Sequence, residues 1–404
     1  MGISTVNGTR VPALDGIRGL AIGLVLLRHG VFLPLEHIPN HPHAARILAL
    51  GGFSWSGVDL FFVLSGFLIG GILLDAAKAE RYFAPFYIRR AHRILPLYFA
   101  VLVLGLSVSH LCHYFGATGL WGTENRIPLI CYATFLQNFW IAIHTDWGSY
   151  TFAVTWSLAI EEQFYLTLPA IVRYVSRSRL WWVVGGMIVT APLLRIGLIH
   201  SGQHGLFASY LLTPCRWDDL GFGVAAALIV RNPSVWETVL LYRNYVYVAL
   251  AATFVGLEAS LLFGFTPLTN QAYGLEYSVL GIFYFLLLIS VLTNTKLDAA
   301  FSTGALRYMG TIAYGLYLLH VPFVHAISDL TTQIHPGQSG WIALGGSVLG
   351  IALAAAAAAF SWRYLEKPLI KRGHRYEYWT TPTETLQTFA LQGTAEKGSN
   401  FLGN

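Results

Sequence analysis

The stretch LDGIRGLAIGLVLLRHG, residues 14–30, reads as a membrane-spanning helix that carries charge where a lipid-facing helix carries none. From Gly19 to Leu27 it contains only Leu, Ile, Val, Ala and Gly. About 20 such residues cross the ~30 Å hydrocarbon core of a bilayer. An ionisable side chain at that depth costs roughly 2.5–3.5 kcal/mol on insertion scales, so it needs a reason. Arg18 and His29 bracket the apolar run. At about 100° and about 1.5 Å per residue they share one face to within about 20° and stand about 16 Å apart along the axis. This geometry suits an elongated ligand held by an anionic part at Arg18, with its reactive end at His29. Taken alone, Arg18 reads equally as a snorkelling side chain or as a partner for Asp15 one turn away.

The rest of the chain extends the membrane reading. Of 404 residues, 55% are hydrophobic and 11% charged, where a soluble domain carries about 25% charged. Mean hydropathy is +0.56. The expected fold is all-α, a polytopic transmembrane bundle of about ten spans near 13–34, 51–74, 96–116, 151–172, 180–200, 217–231, 244–265, 271–294, 308–330 and 340–362. The apolar stretch 128–144 is expected to lie at the surface or re-enter, because a crossing there would put Arg173, Arg177 and Arg179 outside. Ten spans gather most of the 25 Lys and Arg on one side. They include Arg89, Arg90 and Arg93, and Lys367, Lys371 and Arg372. By the positive-inside rule that side is cytoplasmic and holds both termini. The net charge of +5 then belongs to loops, not to a nucleic-acid surface. Residues 1–12 form a polar cytoplasmic N-terminus, not a cleavable leader. Residues 13–375 form the membrane domain, and the polar tail 376–404 is expected to be disordered, with no second soluble domain. Cys112, Cys131 and Cys215 have no metal-ligand spacing, so no metal site is expected. Cys112 and Cys131 both fall near the outer face, where a disulfide could form; free thiols are the default.

Polar groups at span depth gather in a few motifs. GVDLFFVLSGFLI, residues 57–69, carries Asp59 at about the depth of His29. A carboxylate beside an imidazole fixes its tautomer and raises its basicity. TWSLAIEEQFYL, residues 155–166, sets Ser157, Glu161 and Tyr165 in one i,i+4 stripe, with Trp156 beside it and Glu162 turned about 100° away. YGLYLLHVP, residues 314–322, puts Tyr317 and His320 on one face, although a histidine beside Pro322 also reads as a satisfied structural residue. FYIRRAHRILPLY, residues 86–98, holds Arg90 and Arg93 three apart. Forked guanidinium pairs suit phosphate, while ordinary topology charge or anionic-lipid contact accounts for them equally. Arg195, Arg216, Asp218, Asp219 and Glu258, near outer span ends, read as chamber lining or interfacial charge.

Taken in order, the Arg18 to His29 spacing, GVDLFFVLSGFLI, the Arg90-x-x-Arg93 element and TWSLAIEEQFYL resemble the integral-membrane acyltransferase-3 family, with weaker echoes in YGLYLLHVP and YLEKP (364–368). The resemblance runs from Leu14 to Pro368. It implies transfer of an acyl group, often acetyl from acetyl-CoA, to a hydroxyl of a sugar, glycan or small natural product. Acyl-CoA is then a co-substrate and no cofactor stays bound. The partners are the donor, the hydroxyl-bearing acceptor and the lipid bilayer, with no nucleic acid, and the location is a plasma membrane, the inner membrane of a bacterium. The resemblance makes His29 the catalytic base, Arg18, Arg90 and Arg93 acyl-donor or catalytic-site residues, and Glu161 the motif glutamate. Joined to the reading of the residues, it leads to the expectation that Asp59 orients His29, Arg90 and Arg93 hold the donor's phosphates, and Trp156, Ser157, Tyr317 and His320 contact the substrate. Direct transfer and an acyl-His29 intermediate both remain open. The rival from another class is a proton-coupled transporter, because membrane Arg, Asp, Glu and His also build proton relays.

Overall fold

The computed structural model describes residues 5–6, 9–36, 51–115, 125–262, 274–334 and 339–378. From residue 379 on, the expected disordered tail lies outside the described residues. The fold is a helical bundle. The one strand pairing among the described residues is a two-residue antiparallel bridge, Thr5–Val6 with Thr9–Arg10. Helix α1 (Pro12–Leu27) opens on Pro12, whose missing N–H costs nothing in a first turn. It then runs into a wide π turn, Arg28–Phe32, before ending at Glu36. The principal helices that follow are α2 (Gly57–Asp75), α3 (Phe83–Tyr114), α4 (Leu129–Ala133), α5 (Gln137–His144), α6 (Thr155–Tyr174), α7 (Arg177–Ile199), α8 (Trp217–Val230), α9 (Pro233–Leu241), α10 (Arg243–Leu262), α11 (Glu276–Thr293), α12 (Gly304–Ile334), α13 (Ser339–Ser361) and α14 (Lys367–Gly373). A second π turn, Trp362–Glu366, joins α13 to α14.

Seven helical stretches are long and apolar enough to cross a membrane, and α8 with α9, bent by 98° at their junction, makes an eighth if counted as one span. Each of the ten expected spans overlaps a helix among the described residues. The remaining three are α6, a 20-residue helix with Glu161-Glu162-Gln163 in its middle, α8, of 14 residues, and α10, of 20 residues. The 128–144 stretch is not a single helix. It breaks into α4, of five residues, and α5, of eight. Phe135 between them is in the left-handed region at φ 55°. Eight residues rise about 12 Å, too short to cross. The buried amides explain the docking of this hairpin. Gln137 Nε2 donates to Thr155 O (2.9 Å), and Gln163 Nε2 donates to Asn138 Oδ1 (2.9 Å) and to Phe135 O (2.7 Å).

Two helix crossings hold the bundle centre. At the α2–α8 crossing, a Cβ on Gly66 would sit 2.1 Å from Leu220 O, and one on Gly223 would sit 2.1 Å from Val63 O. At the α1–α12 crossing, a Cβ on Gly310 would meet Asp15 O at 1.8 Å. Small residues at such points are how membrane helices gain packing where lipid supplies no hydrophobic drive. The outer faces are the reverse: Val103 and Leu104 of α3, Trp182 and Leu193 of α7 and Val248 of α10 are exposed apolar side chains, as lipid contact requires. Cys112, Cys131 and Cys215 are free thiols.

Candidate active site

A cavity of about 440 Å³ runs into the bundle from its arginine-rich end. Five elements build its polar lining: Arg18 from α1, Ser65 from α2, Arg89, Arg90 and Arg93 from α3, Ser157, Glu161 and Tyr165 from α6, and Tyr314 and Tyr317 from α12. Phe61, Phe62, Leu64, Ile69 and Leu158 supply apolar walls. His374 and Tyr378, just beyond α14, stand at the mouth. Arg89 is tied there, its Nε donating to Tyr376 O (2.7 Å) and its guanidinium lying 4.9 Å over the Tyr378 ring. Burial first, and Arg89 next, push the His374 imidazole below its ordinary pKa.

Inside the cavity, Glu161 is held rigidly. Ser65 Oγ donates to its Oε1 (2.8 Å) and the Tyr165 hydroxyl to its Oε2 (3.1 Å). The i,i+4 spacing of Glu161 and Tyr165 delivers both groups to one side of α6, as their sequence spacing predicts. Ser65 reaches them from α2. Arg18 Nη1 donates to Asp15 Oδ1 (2.9 Å), so the i,i+3 pairing and the cavity-lining role hold together. Arg90 and Arg93 differ. Neither makes a hydrogen bond or ion pair among the described residues, yet both line the cavity half-buried. Guanidinium forks on a concave wall have the chemistry to hold an anion.

The upper end of the cavity is closed by Tyr317. Its hydroxyl donates to Val154 O (3.0 Å) and lies 2.6 Å from Ser157 Oγ. Its ring packs on Phe61 at 6.2 Å and on His320 at 5.7 Å. His320 in turn packs edge-on against His29, ring centroids 4.9 Å apart. His29 thus stands past Tyr317, outside the cavity lining, in the π turn that continues α1. Such turns recur at functional sites because they present a side chain at an angle a regular helix cannot.

The expected pairing of Asp59 with His29 is not what the structure contains. Asp59 accepts from Arg216 Nη2 at 2.5 Å. The His29 ring instead meets Val25 O and His320. Equal depth along two helices fixed height but not direction around the axis, and Asp59 turns toward the start of α8. There Arg216 lies 4.0 Å over the Tyr277 ring and 3.7 Å from Asp219. Beside it Arg195 binds Asp218 in a fork (3.0 and 2.6 Å) and donates to Ser278 Oγ (2.7 Å). All five charges are buried, and none lines the cavity. Trp156, an expected substrate contact, packs at a tilt against Tyr210, ring centroids 4.6 Å apart, and also stays outside the lining. The sequence reading missed Ser65 and Tyr314, both cavity-lining, and Glu366, a buried carboxylate that accepts from Ser361 Oγ (3.0 Å). A hydroxyl six residues after Asp59, in an otherwise apolar run, was the available signal for Ser65. No group of His, Cys, Asp and Glu among the described residues could hold a metal ion.

Comparison with known proteins finds relatives named as O-acetyltransferases. The Listeria monocytogenes peptidoglycan O-acetyltransferase OatA is 27% identical over 386 residues, covering 90% of this chain and 56% of that protein. The Bacillus subtilis protein YrhL, provisionally named for the same activity, is 28% identical over 394 residues, with 90% and 56% covered. A Staphylococcus aureus protein provisionally named an O-acetyltransferase is 26% identical over 391 residues, with 91% and 59% covered. The chain therefore spans little more than half the length of these relatives. No solved structure matches it at a significant level. The model of an acyltransferase domain, the acyltransferase-3 family, matches residues 11–361, and this multi-pass membrane chain belongs to that family.

Proposed function

We propose that the protein is a membrane O-acyltransferase that moves an acetyl group from acetyl-CoA to a hydroxyl on a cell-envelope sugar, with His29 as general base. Peptidoglycan is the first acceptor to test, since two relatives carry that substrate in their names. The observation that carries the donor half is the pair of guanidiniums, Arg90 and Arg93, without a hydrogen-bonded or ionic partner among the described residues, on the wall of a cavity of about 440 Å³. In this proposal the chain crosses the inner membrane of a bacterium ten times with both termini cytoplasmic, so the arginine-lined mouth faces the pool of acyl-CoA.

The donor's phosphates stay at the mouth on Arg90 and Arg93, while its pantetheine arm leads inward past Arg18 and the Ser65–Glu161–Tyr165 group. For the thioester to reach His29, the Tyr317–Ser157 contact must open, so the two side chains act together as a seal between donor and acceptor sides. The acceptor hydroxyl then needs to lie within about 3–3.5 Å of the thioester carbonyl carbon. Removal of its proton by a positioned base contributes typically 10²–10⁴-fold. An acyl-His29 intermediate is the other route, and ping-pong kinetics with a trapped acyl-enzyme separate it from direct transfer.

The test uses the full chain in detergent or nanodiscs. Acetyl-CoA affinity and acceptor-dependent release of free CoA are measured with peptidoglycan fragments for the wild type, Arg90→Ala/Arg93→Ala and His29→Ala. Expected are weak donor binding in the double variant, and normal binding with no acceptor-dependent release in His29→Ala. A folded wild type with no affinity for acyl-CoA overturns the proposal and directs attention to substrate flux without covalent change.

A further inference from the structure

We infer that His320 is the positioning residue for His29: it fixes the base as the Nδ1–H tautomer and so makes Nε2 the atom that takes the acceptor's proton. The inference rests on the acyl-transfer proposal for its chemistry and on donor–acceptor logic for its geometry. His320 Nδ1 faces two backbone carbonyls, Tyr317 O at 2.6 Å and Leu316 O at 3.2 Å. Carbonyl oxygens only accept, so Nδ1 carries the hydrogen. A neutral imidazole has one N–H, which leaves His320 Nε2 as a lone pair. That lone pair lies 3.4 Å from His29 Nδ1. The other group facing His29 Nδ1 is Val25 O, at 3.0 Å. Both neighbours of His29 Nδ1 are thus acceptors. The hydrogen belongs on Nδ1, shared between them, and Nε2 on the far side of the ring is unprotonated.

Both rings are neutral in the resting protein because no carboxylate touches either among the described residues. The charged and titratable groups facing His29 are few. Arg28 on its own helix is paired with Glu36. From α12 come His320 and, within electrostatic range, His325, with Asp329 behind it. Helix α13, which packs on the π turn at Gly30, carries no charged residue.

The pair then behaves as follows through one turnover. The acceptor O–H proton moves to His29 Nε2 while the oxygen forms its bond to the thioester carbonyl carbon. His29 becomes an imidazolium, and its Nδ1–H···Nε2 contact to His320 becomes charge-assisted, roughly doubling in strength and shortening. The C–S bond breaks, and the thiolate takes the proton from Nε2, restoring the neutral pair. His320 therefore supplies what the buried carboxylate supplies in a Ser-His-Asp triad, the tautomer and the stabilised imidazolium. It does so without a standing negative charge in the membrane. The long resting contact of 3.4 Å fits an interaction that tightens only when charge develops.

Two measurements on the full chain decide the matter. Acetyl transfer from acetyl-CoA to peptidoglycan fragments is followed for wild type, His320→Gln, whose side-chain oxygen can accept from Nδ1–H, and His320→Leu, which cannot. Turnover is expected to fall about 10²-fold in His320→Leu and by less than about tenfold in His320→Gln, with KM for acetyl-CoA unchanged in both, since His320 does not line the donor cavity. Histidine-selective ¹⁵N NMR, with His29→Asn subtracted to assign the signal, is expected to find His29 as Nδ1–H in the wild type and as a tautomer mixture in His320→Leu. Wild-type turnover in folded His320→Leu, equal losses in the two variants, or an Nε2–H His29 in an active wild type would each overturn the assignment. A wild type that transfers nothing sinks the acyl-transfer reading itself, and this role with it.

Discussion

Two sets of arginines sit inside this bundle, and they have opposite surroundings. Near the start of α8, Arg195 and Arg216 are fully buried against Asp218, Asp59 and Asp219, and Arg195 also holds Ser278. In the cavity, Arg90 and Arg93 are half-buried and have no hydrogen-bonded or ionic partner among the described residues. The first set fastens helices that are far apart in sequence, α2, α7, α8 and α11. The second lines open space. Residue type alone would have graded them alike. Partnership is what tells them apart: the first set is used up in the fold, and the second is the one proposed to take the donor's phosphates.

The sharpest way to break this comparison is to remove one partner from each set. Asp218→Ala leaves Arg195 buried with an uncompensated charge, which costs about 3–5 kcal/mol. It should show as a large drop in melting temperature of the detergent-solubilised protein, with unchanged acetyl-CoA affinity in whatever fraction stays folded. A normally stable Asp218→Ala with weakened donor binding would mean that the outer cluster is also a ligand site. Arg90→Ala/Arg93→Ala should do the reverse. Donor affinity should weaken by about 10²-fold, or about 2.7 kcal/mol, while stability moves by less than about 1 kcal/mol, because no internal contact is lost. Calorimetric titration with acetyl-CoA beside a melting curve reads both quantities on one sample.

Ser65→Ala tests the middle ground, a residue that is both a ligand-cavity wall and internally bonded. It removes a donor to Glu161 Oε1 and the 3.1 Å contact with the Tyr165 hydroxyl. Loss of one such hydrogen bond is worth about 1 kcal/mol. Turnover should fall about fivefold while the melting temperature changes little, if Glu161 must be held still for transfer. An equal change in stability and none in turnover would return this group to the fold.

How far the sequence carried the reading follows from the same distinction. Arg18, Glu161, Ser157 and Tyr317 stand out by charge or polarity at span depth, Arg90 and Arg93 by their spacing in a cytoplasmic basic cluster, and all six line one cavity. Helical periodicity handles such groups well, because i,i+3 and i,i+4 spacing fixes which residues of one helix face together. It does not fix which way two helices turn toward each other. Asp59 was assigned to His29 by depth, and its carboxylate went to Arg216, 157 residues away. The partner His29 does have, His320, lies 291 residues away and was read as a substrate contact. The π turn at Arg28–Phe32 was invisible for a related reason: a regular wheel assumes 100° per residue, and the wide turn begins immediately before His29.

The smallest expected effect lies at the cavity mouth and sharpens the comparison from the electrostatic side. His374 is kept below its ordinary pKa by burial and by the nearby arginines, Arg89 foremost. A phosphate bound among those arginines would reverse that effect, because an anion favours the protonated imidazole. The bound-state pKa then lies above the free-state value, so binding takes up a proton. By linkage, donor affinity must rise as pH falls through the interval between the two values, and flatten below both. The gain should be under about tenfold and should vanish in His374→Ala, read by acetyl-CoA titrations from about pH 8 to about pH 5. Persistence of the pH dependence in His374→Ala would assign the proton to another group. Absence of any dependence in the wild type would mean that the phosphates bind deeper, at Arg90 and Arg93, without reaching the mouth.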